Sequence, residues 1–276
     1  MITRTHLLAA LLGAAVAAGC AQEPPPAAAF PADTIRVLAY NIHHGEGMDS
    51  LVDLVRIADL IASVEPDLVA LQEVDSVARR TGGVDQAAEL ARRTGLDGRF
   101  GSFMPYQGGS YGMAVLSRLP VVEARNLRLP DGEEPRTALS VTVRLPNSGA
   151  RLRFVGIHFY RTDAERMAQA RSLEDQLEAD PLATVLAGDF NSRPGSEVMD
   201  HLAEGWTVVE KGPDAFTFPS WAPDHEIDFV VMRPAPVFEV LAERVLDEPV
   251  ASDHRPVLVD LVIRPGARLR PPDPSF

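Results

Sequence analysis

Three short apolar runs in this chain end abruptly in groups that bind cations, move protons or hold phosphate. Ile35–Ala39 closes on Tyr40-Asn41, Leu68–Leu71 on Gln72-Glu73, and Thr184–Ala187 on Gly188-Asp189-Phe190-Asn191. A fourth polar cluster, Ser252-Asp253-His254-Arg255-Pro256, leads into the apolar run Val257–Ile263. Glu73 follows a run apolar enough for a protein core, where an unpartnered carboxylate carries a heavy desolvation penalty. A structural salt bridge is one remedy; a hard divalent ion such as Mg²⁺, bound through oxygen, is the other. Asn41 is then a neutral oxygen partner and Asp253 a second acid facing the ion. Asp189 and Asn191, two apart in an extended segment, place an acid and an amide on one face, suited to orienting water beside a phosphate. The alternative for Asp-Phe-Asn is a turn. His254 is a donor to a developing phosphoryl charge if a carboxylate fixes its tautomer, and Asp228 in Ile227–Met232 is the candidate. His158 emerges from the apolar Val155–Ile157 as a second imidazole, or else as a satisfied core histidine.

These groups converge only if their strands end at one rim of a sheet. Leu51, Leu54, Val55, Ala58, Ile61 and Ala62 recur at helical spacing after a capping-box-like Ser50-Leu51-Val52-Asp53, until Pro66 stops the pattern. A second helix is predicted from Val84 to Thr94, closed by Gly95. A third starts at Thr162, presents Met167, Ala170, Leu173 and Leu177 on one side, and ends before Pro181. Strands are predicted in consecutive pairs, Met113–Leu116 with Val121–Leu127 and Ala138–Leu145 with Leu152–Phe159, and later at Thr184–Ala187, Ile227–Met232, Val237–Val245 and Val257–Ile263. Hairpin pairs separated by βα units predict a mixed sheet within one α+β domain over residues 33–265.

In order and spacing, Tyr40-Asn41, Leu71-Gln72-Glu73, Met113–Arg118, His158, Gly188–Asn191, Ile227-Asp228-Phe229 and Ser252–Pro256 together resemble the endonuclease/exonuclease/phosphatase superfamily. That superfamily includes deoxyribonucleases, abasic-site endonucleases, sphingomyelinases and inositol polyphosphate phosphatases. The resemblance implies a four-layer α/β sandwich: two mixed sheets packed face to face with helices outside. It implies metal binding by Asn41 and Glu73, often joined by Asp253, and water activation by Asp189 with Asn191 as a substrate-binding neighbour. It also implies an imidazole–carboxylate pair in His254 and Asp228, and a phosphate-contacting His158. Arg136, opening a strand, resembles a phosphate-binding arginine of related bacterial sequences. Met113 stands where many relatives carry asparagine, which removes one polar contact near the site. His43-His44 follows the first strand in a phrase shared with a bacterial subgroup; contact with substrate, with a second cation, or with solvent all fit it, and it is kept out of the metal set.

The 276-residue chain has a formal charge of −13 and a single lysine, Lys211. Enzymes that grip long polyanions avidly depend on dense basic contacts and counterion release, so nucleic acid is possible here but not the favoured substrate. Arg4 and His6 precede an apolar stretch, Leu7–Ala18, too short for a mature membrane span. Ala17-Ala18-Gly19-Cys20 resembles a bacterial lipoprotein cleavage site, with the sole cysteine, Cys20, as the lipidated residue. Residues 1–20 are therefore expected as a signal peptide, 21–32 as a Pro/Ala-rich tether and 266–276 as a loose tail. The expected protein is an exported cell-envelope lipoprotein, held at the membrane by its N-terminal lipid. Its expected activity is Mg²⁺- or Mn²⁺-dependent hydrolysis of a phosphoester, on a lipid head group or a small substrate. An extracellular nuclease and a non-catalytic binding lipoprotein on the same scaffold are the alternatives. The sequence carries no signal of oligomeric state.

Overall fold

Alternation along the strands sets the layers. In the first strand, β1 (Asp33–Asn41), Ile35, Val37 and Ala39 pack into one apolar cluster and Leu38 and Tyr40 into another. A strand that is apolar on both faces must be covered on both, and successive side chains point to opposite sides. The computed structural model describes residues 32–264. The expected signal peptide with Cys20, nearly all of the tether, and the tail lie outside the described residues.

The remaining elements follow in order. α1 (Leu54–Ser63), β2 (Leu68–Ser76), α2 (Gln86–Thr94), β3 (Asp97–Tyr106), β4 (Gly109–Ser117), β5 (Val121–Arg128) and β6 (Thr137–Arg144) make up the first half. β7 (Arg151–His158), α3 (Asp163–Glu178), β8 (Thr184–Asp189), α4 (Glu197–Gly205), β9 (Thr207–Val208), β10 (Asp228–Arg233), β11 (Phe238–Val245) and β12 (Val257–Ile263) complete it. One six-stranded sheet runs β11-β12-β1-β2-β4-β3 and the other β5-β6-β7-β8-β10-β9. Val37, Val115 and Val259 from the first meet Val141, Phe154 and Val185 from the second in the shared core. Ile57, Ile61 and Leu90 of α1 and α2 cover the outer face of the first sheet, while Leu173, Leu177 and Leu202 of α3 and α4 cover the second. This is the four-layer sandwich of two mixed sheets that the sequence motifs imply.

Each sheet contains one parallel pair, β1 with β2 and β7 with β8. Parallel neighbours end at the same rim, so Asn41 lies opposite Gln72, and His158 opposite Asp189. β10 runs antiparallel to β8 and begins there, placing Asp228 opposite Asp189. β12 runs antiparallel to β1, with Val257 opposite Ala39, so the preceding Asp253-His254 arrives beside Asn41.

Local signals account for most boundaries. The N-cap of α1 is Asp53, whose carboxylate accepts from the Val55 and Arg56 amides at 2.9 and 3.1 Å. The expected start at Ser50 is therefore three residues early, and Leu51 is exposed ahead of the helix. Asp85 caps α2 and Gly95, at φ 70°, closes it in the left-handed conformation that lacks a Cβ penalty. Three elements lack a clear sequence signal. β3 holds two glycines and a proline in ten residues, α4 follows directly on Pro194-Gly195-Ser196, and β9 is two residues long. Among the described residues no helix is long and apolar enough to cross a membrane.

Candidate active site

The Asn41 carboxamide joins the two halves of the rim. Its Nδ2 donates to Glu73 Oε1 at 3.2 Å and to Asp189 Oδ2 at 3.2 Å, and lies 3.5 Å from His254 Nε2. Its Oδ1 accepts from the His43 amide at 3.1 Å. Ser252 Oγ donates to the Asn41 carbonyl at 2.7 Å, tying the segment that carries Asp253 and His254 to the end of β1. Groups from β1, β2, β8 and the loop before β12 thus meet around one amide.

Asp189 ends β8 after Gly188, whose φ of +146° and surroundings exclude a side chain. A Cβ there would sit 2.1 Å from the Ile157 carbonyl oxygen and 2.8 Å from Gln72 Nε2. The Asp189 carboxylate is buried between two imidazoles, with His158 Nε2 3.5 Å and His254 Nε2 3.8 Å from its Oδ2. Burial first, and the charge of Asp228 second, push the Asp189 carboxyl up to about 7 despite the opposing pull of His254. This poises it near neutrality, where a carboxylate can take a proton from water.

His254 is fixed by Asp228, whose Oδ2 lies 2.8 Å from Nδ1. The same oxygen accepts from Thr217 Oγ1 at 2.6 Å, and the Asp228 carbonyl accepts from buried Lys211 Nζ at 2.9 Å. Burial alone would lower the His254 pKa. The charge and hydrogen bond of Asp228, joined by Asp189 and Asp253, outweigh it and raise the imidazole to about 10. His158 goes the other way. Burial, with the positive fields of Arg136 and His254, holds it well below the usual histidine range, so it is neutral. One histidine is thus a cation and the other a neutral imidazole across a single carboxylate.

Asn191 does not continue the strand. At φ 49° it turns, its amide N–H donates to Asp189 Oδ1 at 2.7 Å, and its Nδ2 donates to the Phe159 carbonyl at 2.9 Å. The expected extended spacing is corrected: Asp-Phe-Asn is a turn, and Asn191 aligns the Asp189 carboxylate and the end of β7. Asp253 is half-buried, with Oδ1 3.3 Å from Ser252 Oγ. Arg136 is buried ahead of β6, its guanidinium 4.9 Å from the Phe103 ring and 5.3 Å from that of Tyr160, and it pairs with Glu134. The residues not anticipated are Thr217 and Lys211, which bind Asp228 from loops without periodicity; Ser252, in the expected Ser252–Pro256 segment, holds the Asn41 carbonyl. Gln72 is fully buried with both side-chain polar atoms unpaired.

The donor chemistry fits a divalent cation at Glu73. The carboxylate is half-buried, accepts from Asn41, and has no basic side chain in salt-bridge range among the described residues. Ligand atoms of His43, His44 and Glu73 lie within 4.8 Å of one another, and those of Asp189, Asp228 and His254 form a second such group. Asp253 is in neither. Buried polar atoms without a partner at this rim include both of Gln72, His158 Nδ1, His44 Nδ1 and Asp228 Oδ1, which solvent, ion or substrate can complete.

The sequence model of the Endonuclease/Exonuclease/phosphatase family matches residues 38–254, a span that begins in β1 and ends on His254. The chain belongs to this family. Its members include phosphatases, phosphodiesterases and nucleases. An endonuclease/exonuclease/phosphatase structure from Beutenbergia cavernae is 27% identical, covering 84% of this chain and 72% of that one at a TM-score of 0.68. A mannosyl-6-phosphatase from Bacteroides thetaiotaomicron shares the fold at 18% identity, with coverage of 83% and 100% and a TM-score of 0.68. The human nocturnin catalytic domain, solved with a bound sulfate, shares it at 21% identity, with coverage of 83% and 97% and a TM-score of 0.63. A search of curated proteins found no match.

Proposed function

We propose that this family member is a divalent-metal-dependent phosphoester hydrolase acting on a lipid head group or another small phosphoester. The observation that carries the reading is the Asn41 amide, 3.2 Å from both Glu73 and Asp189, which joins a cation-binding carboxylate to a proton-accepting one. Glu73 and Asn41 would hold Mg²⁺ or Mn²⁺, with Asp253 as a further acid nearby. When bound, such an ion polarises a phosphoryl oxygen and offsets its charge.

The chain's own residues supply the rest. Asp189 orients water and accepts its proton, and its pKa near 7 leaves a usable carboxylate fraction at neutral pH. His254, cationic and held by Asp228, donates to a phosphoryl oxygen as negative charge grows there. Neutral His158 lends a second polar contact from the opposite side of Asp189. Arg136, stacked between Phe103 and Tyr160, is the candidate for a non-reacting phosphate oxygen. Asn191 is assigned to substrate and to holding Asp189 in line.

The net charge of −13 supports a small or membrane-borne substrate over a long polyanion. Export, lipidation at Cys20 and residence at the cell envelope belong to the same proposal and rest on the leader sequence. The test is a phosphoester panel assayed on the full chain with and without chelator, in rising salt. A head-group or small-substrate enzyme keeps its turnover in moderate salt. Steep salt inhibition with activity confined to nucleic acid would reassign it as a nuclease.

A further inference from the structure

Two histidines meet the Glu73 carboxylate, and the reaction described above uses neither. His43 and His44 occupy a one-turn segment just past the end of β1, and Glu73 occupies a bulge in β2, where pairing with β4 slips between Leu71 and Val74. Bulges re-aim a side chain at the cost of ladder pairing. All three residues are non-glycine and adopt left-handed backbone, at φ 45°, 45° and 57°. Each such residue is held against a steric cost, and such residues cluster at functional sites.

The surroundings hold that arrangement in place. Gln86, fully buried, donates through Nε2 to the His44 carbonyl at 2.7 Å and accepts through Oε1 from the Asp75 amide at 2.9 Å. One side chain therefore locks the histidine turn to the strand that carries Glu73. Glu46 then fixes both rings. Its carbonyl lies 3.1 Å from His43 Nδ1, and its carboxylate lies 3.2 Å from His44 Nε2. Metal-binding histidines characteristically donate their other ring N–H to a carbonyl or a carboxylate. With those nitrogens engaged, His43 Nε2 and His44 Nδ1 keep their lone pairs. His44 is 7% exposed and its Nδ1 is buried without a partner.

We propose that His43, His44 and Glu73 form a binding site for a transition-metal dication of the Mn²⁺, Co²⁺ or Zn²⁺ kind. Two imidazole nitrogens and one carboxylate oxygen suit those ions, whereas Mg²⁺ prefers an all-oxygen, largely hydrated shell. The remaining positions on the ion stay available to water or to a phosphoryl oxygen. Glu46 and Gln86 are the positioning residues. The inference rests on the reading of Glu73 as a cation ligand and makes it specific.

The test uses the full chain, stripped of metal and titrated with Co²⁺ followed optically, with Mn²⁺ followed by electron paramagnetic resonance, and with Mg²⁺ as competitor. Expected is binding of Co²⁺ and Mn²⁺ at least ~100-fold tighter than Mg²⁺, with Co²⁺ bands of mixed nitrogen and oxygen ligation. His43→Gln/His44→Gln should weaken Co²⁺ binding at least ~30-fold while thermal stability and Mg²⁺ affinity hold, and His43→Gln alone should give part of that loss. Equal affinities for the three ions, or a double variant that binds Co²⁺ as the parent does, would overturn the site. If the double variant fails to fold, the parent's ion ranking and the His43→Gln titration decide. Turnover measured on the same samples separates the two readings. Imidazole-dependent metal binding without phosphoester turnover supports this site and counts against the hydrolase. Mg²⁺-dependent turnover together with Co²⁺ binding that is indifferent to both histidines does the reverse.

Discussion

Replacing Asp228 by Asn isolates the electrostatic part of the His254 contact. The amide oxygen can take the place of Asp228 Oδ2, which now lies 2.8 Å from His254 Nδ1 and accepts from Thr217 Oγ1 at 2.6 Å. The charge is lost while the shape and the acceptor are kept. In the parent, that charge and hydrogen bond are the main influences lifting the imidazole to about 10 against burial, which lowers it. Without them only the weaker charges of Asp189 and Asp253 oppose burial, and the pKa falls toward the ordinary 6.5. For a full return to 6.5, the cationic fraction at about pH 8 drops from nearly one to about one in thirty, close to 2 kcal/mol at ~1.4 kcal/mol per decade. Asp189 follows in the same direction, because the Asp228 charge helps to raise it to about 7. Both limbs of the pH profile therefore move toward acid, the alkaline one by up to about three and a half units. The assay is kcat/KM for a chromogenic phosphoester from acid pH to above the His254 pKa of about 10, with the melting temperature as a control for folding. A loss that is uniform in pH, or an alkaline limb that stays in place, would refute the claim that His254 acts as a cation.

Other perturbations probe separate parts of the site. Gly188→Ala forces a Cβ to within 2.1 Å of the Ile157 carbonyl, so thermal denaturation should show a loss of about 2–4 kcal/mol. Arg136→Met keeps the stack between Phe103 and Tyr160 but removes the charge. Steady-state kinetics should show KM raised about tenfold with kcat within a few-fold, as for a contact to a non-reacting phosphate oxygen. Thr217→Val strips a donor from Asp228 Oδ2 and should lower kcat about tenfold with little change in KM, read from the same assay.

The site was legible from sequence where chemistry sits at the end of an apolar run. Asn41, Glu73, His158 and Asp189 each terminate or nearly terminate a strand, and the two parallel pairs bring them to one rim. Asp228 and His254 were legible because an acid and an imidazole flank runs that pair with β8 and β1. Thr217 and Lys211 were not, since loop residues are positioned by tertiary contacts that leave no period in the chain. Asn191 was misread as extended because a two-residue spacing cannot distinguish a strand end from an Asx turn, and Gly188 with Asn191 turns the backbone there. β3 carries little strand signal because its glycines and proline lower strand propensity, whereas pairing with β4 along nearly its whole length supplies what local sequence lacks. In sequence the histidine pair fits contact with substrate, with a second cation or with solvent, which keeps it out of the metal set. A left-handed turn at both positions brings them together with Glu73.

One comparison bears most directly on the central claim that the rim is a single metal-dependent catalytic centre. It is turnover of a phosphoester panel by the full chain and by Asp189→Asn, each with and without chelator. The account predicts chelator-sensitive hydrolysis by the parent and a loss of at least ~10³-fold in the folded variant. Hydrolysis that survives either the chelator or the substitution would contradict it.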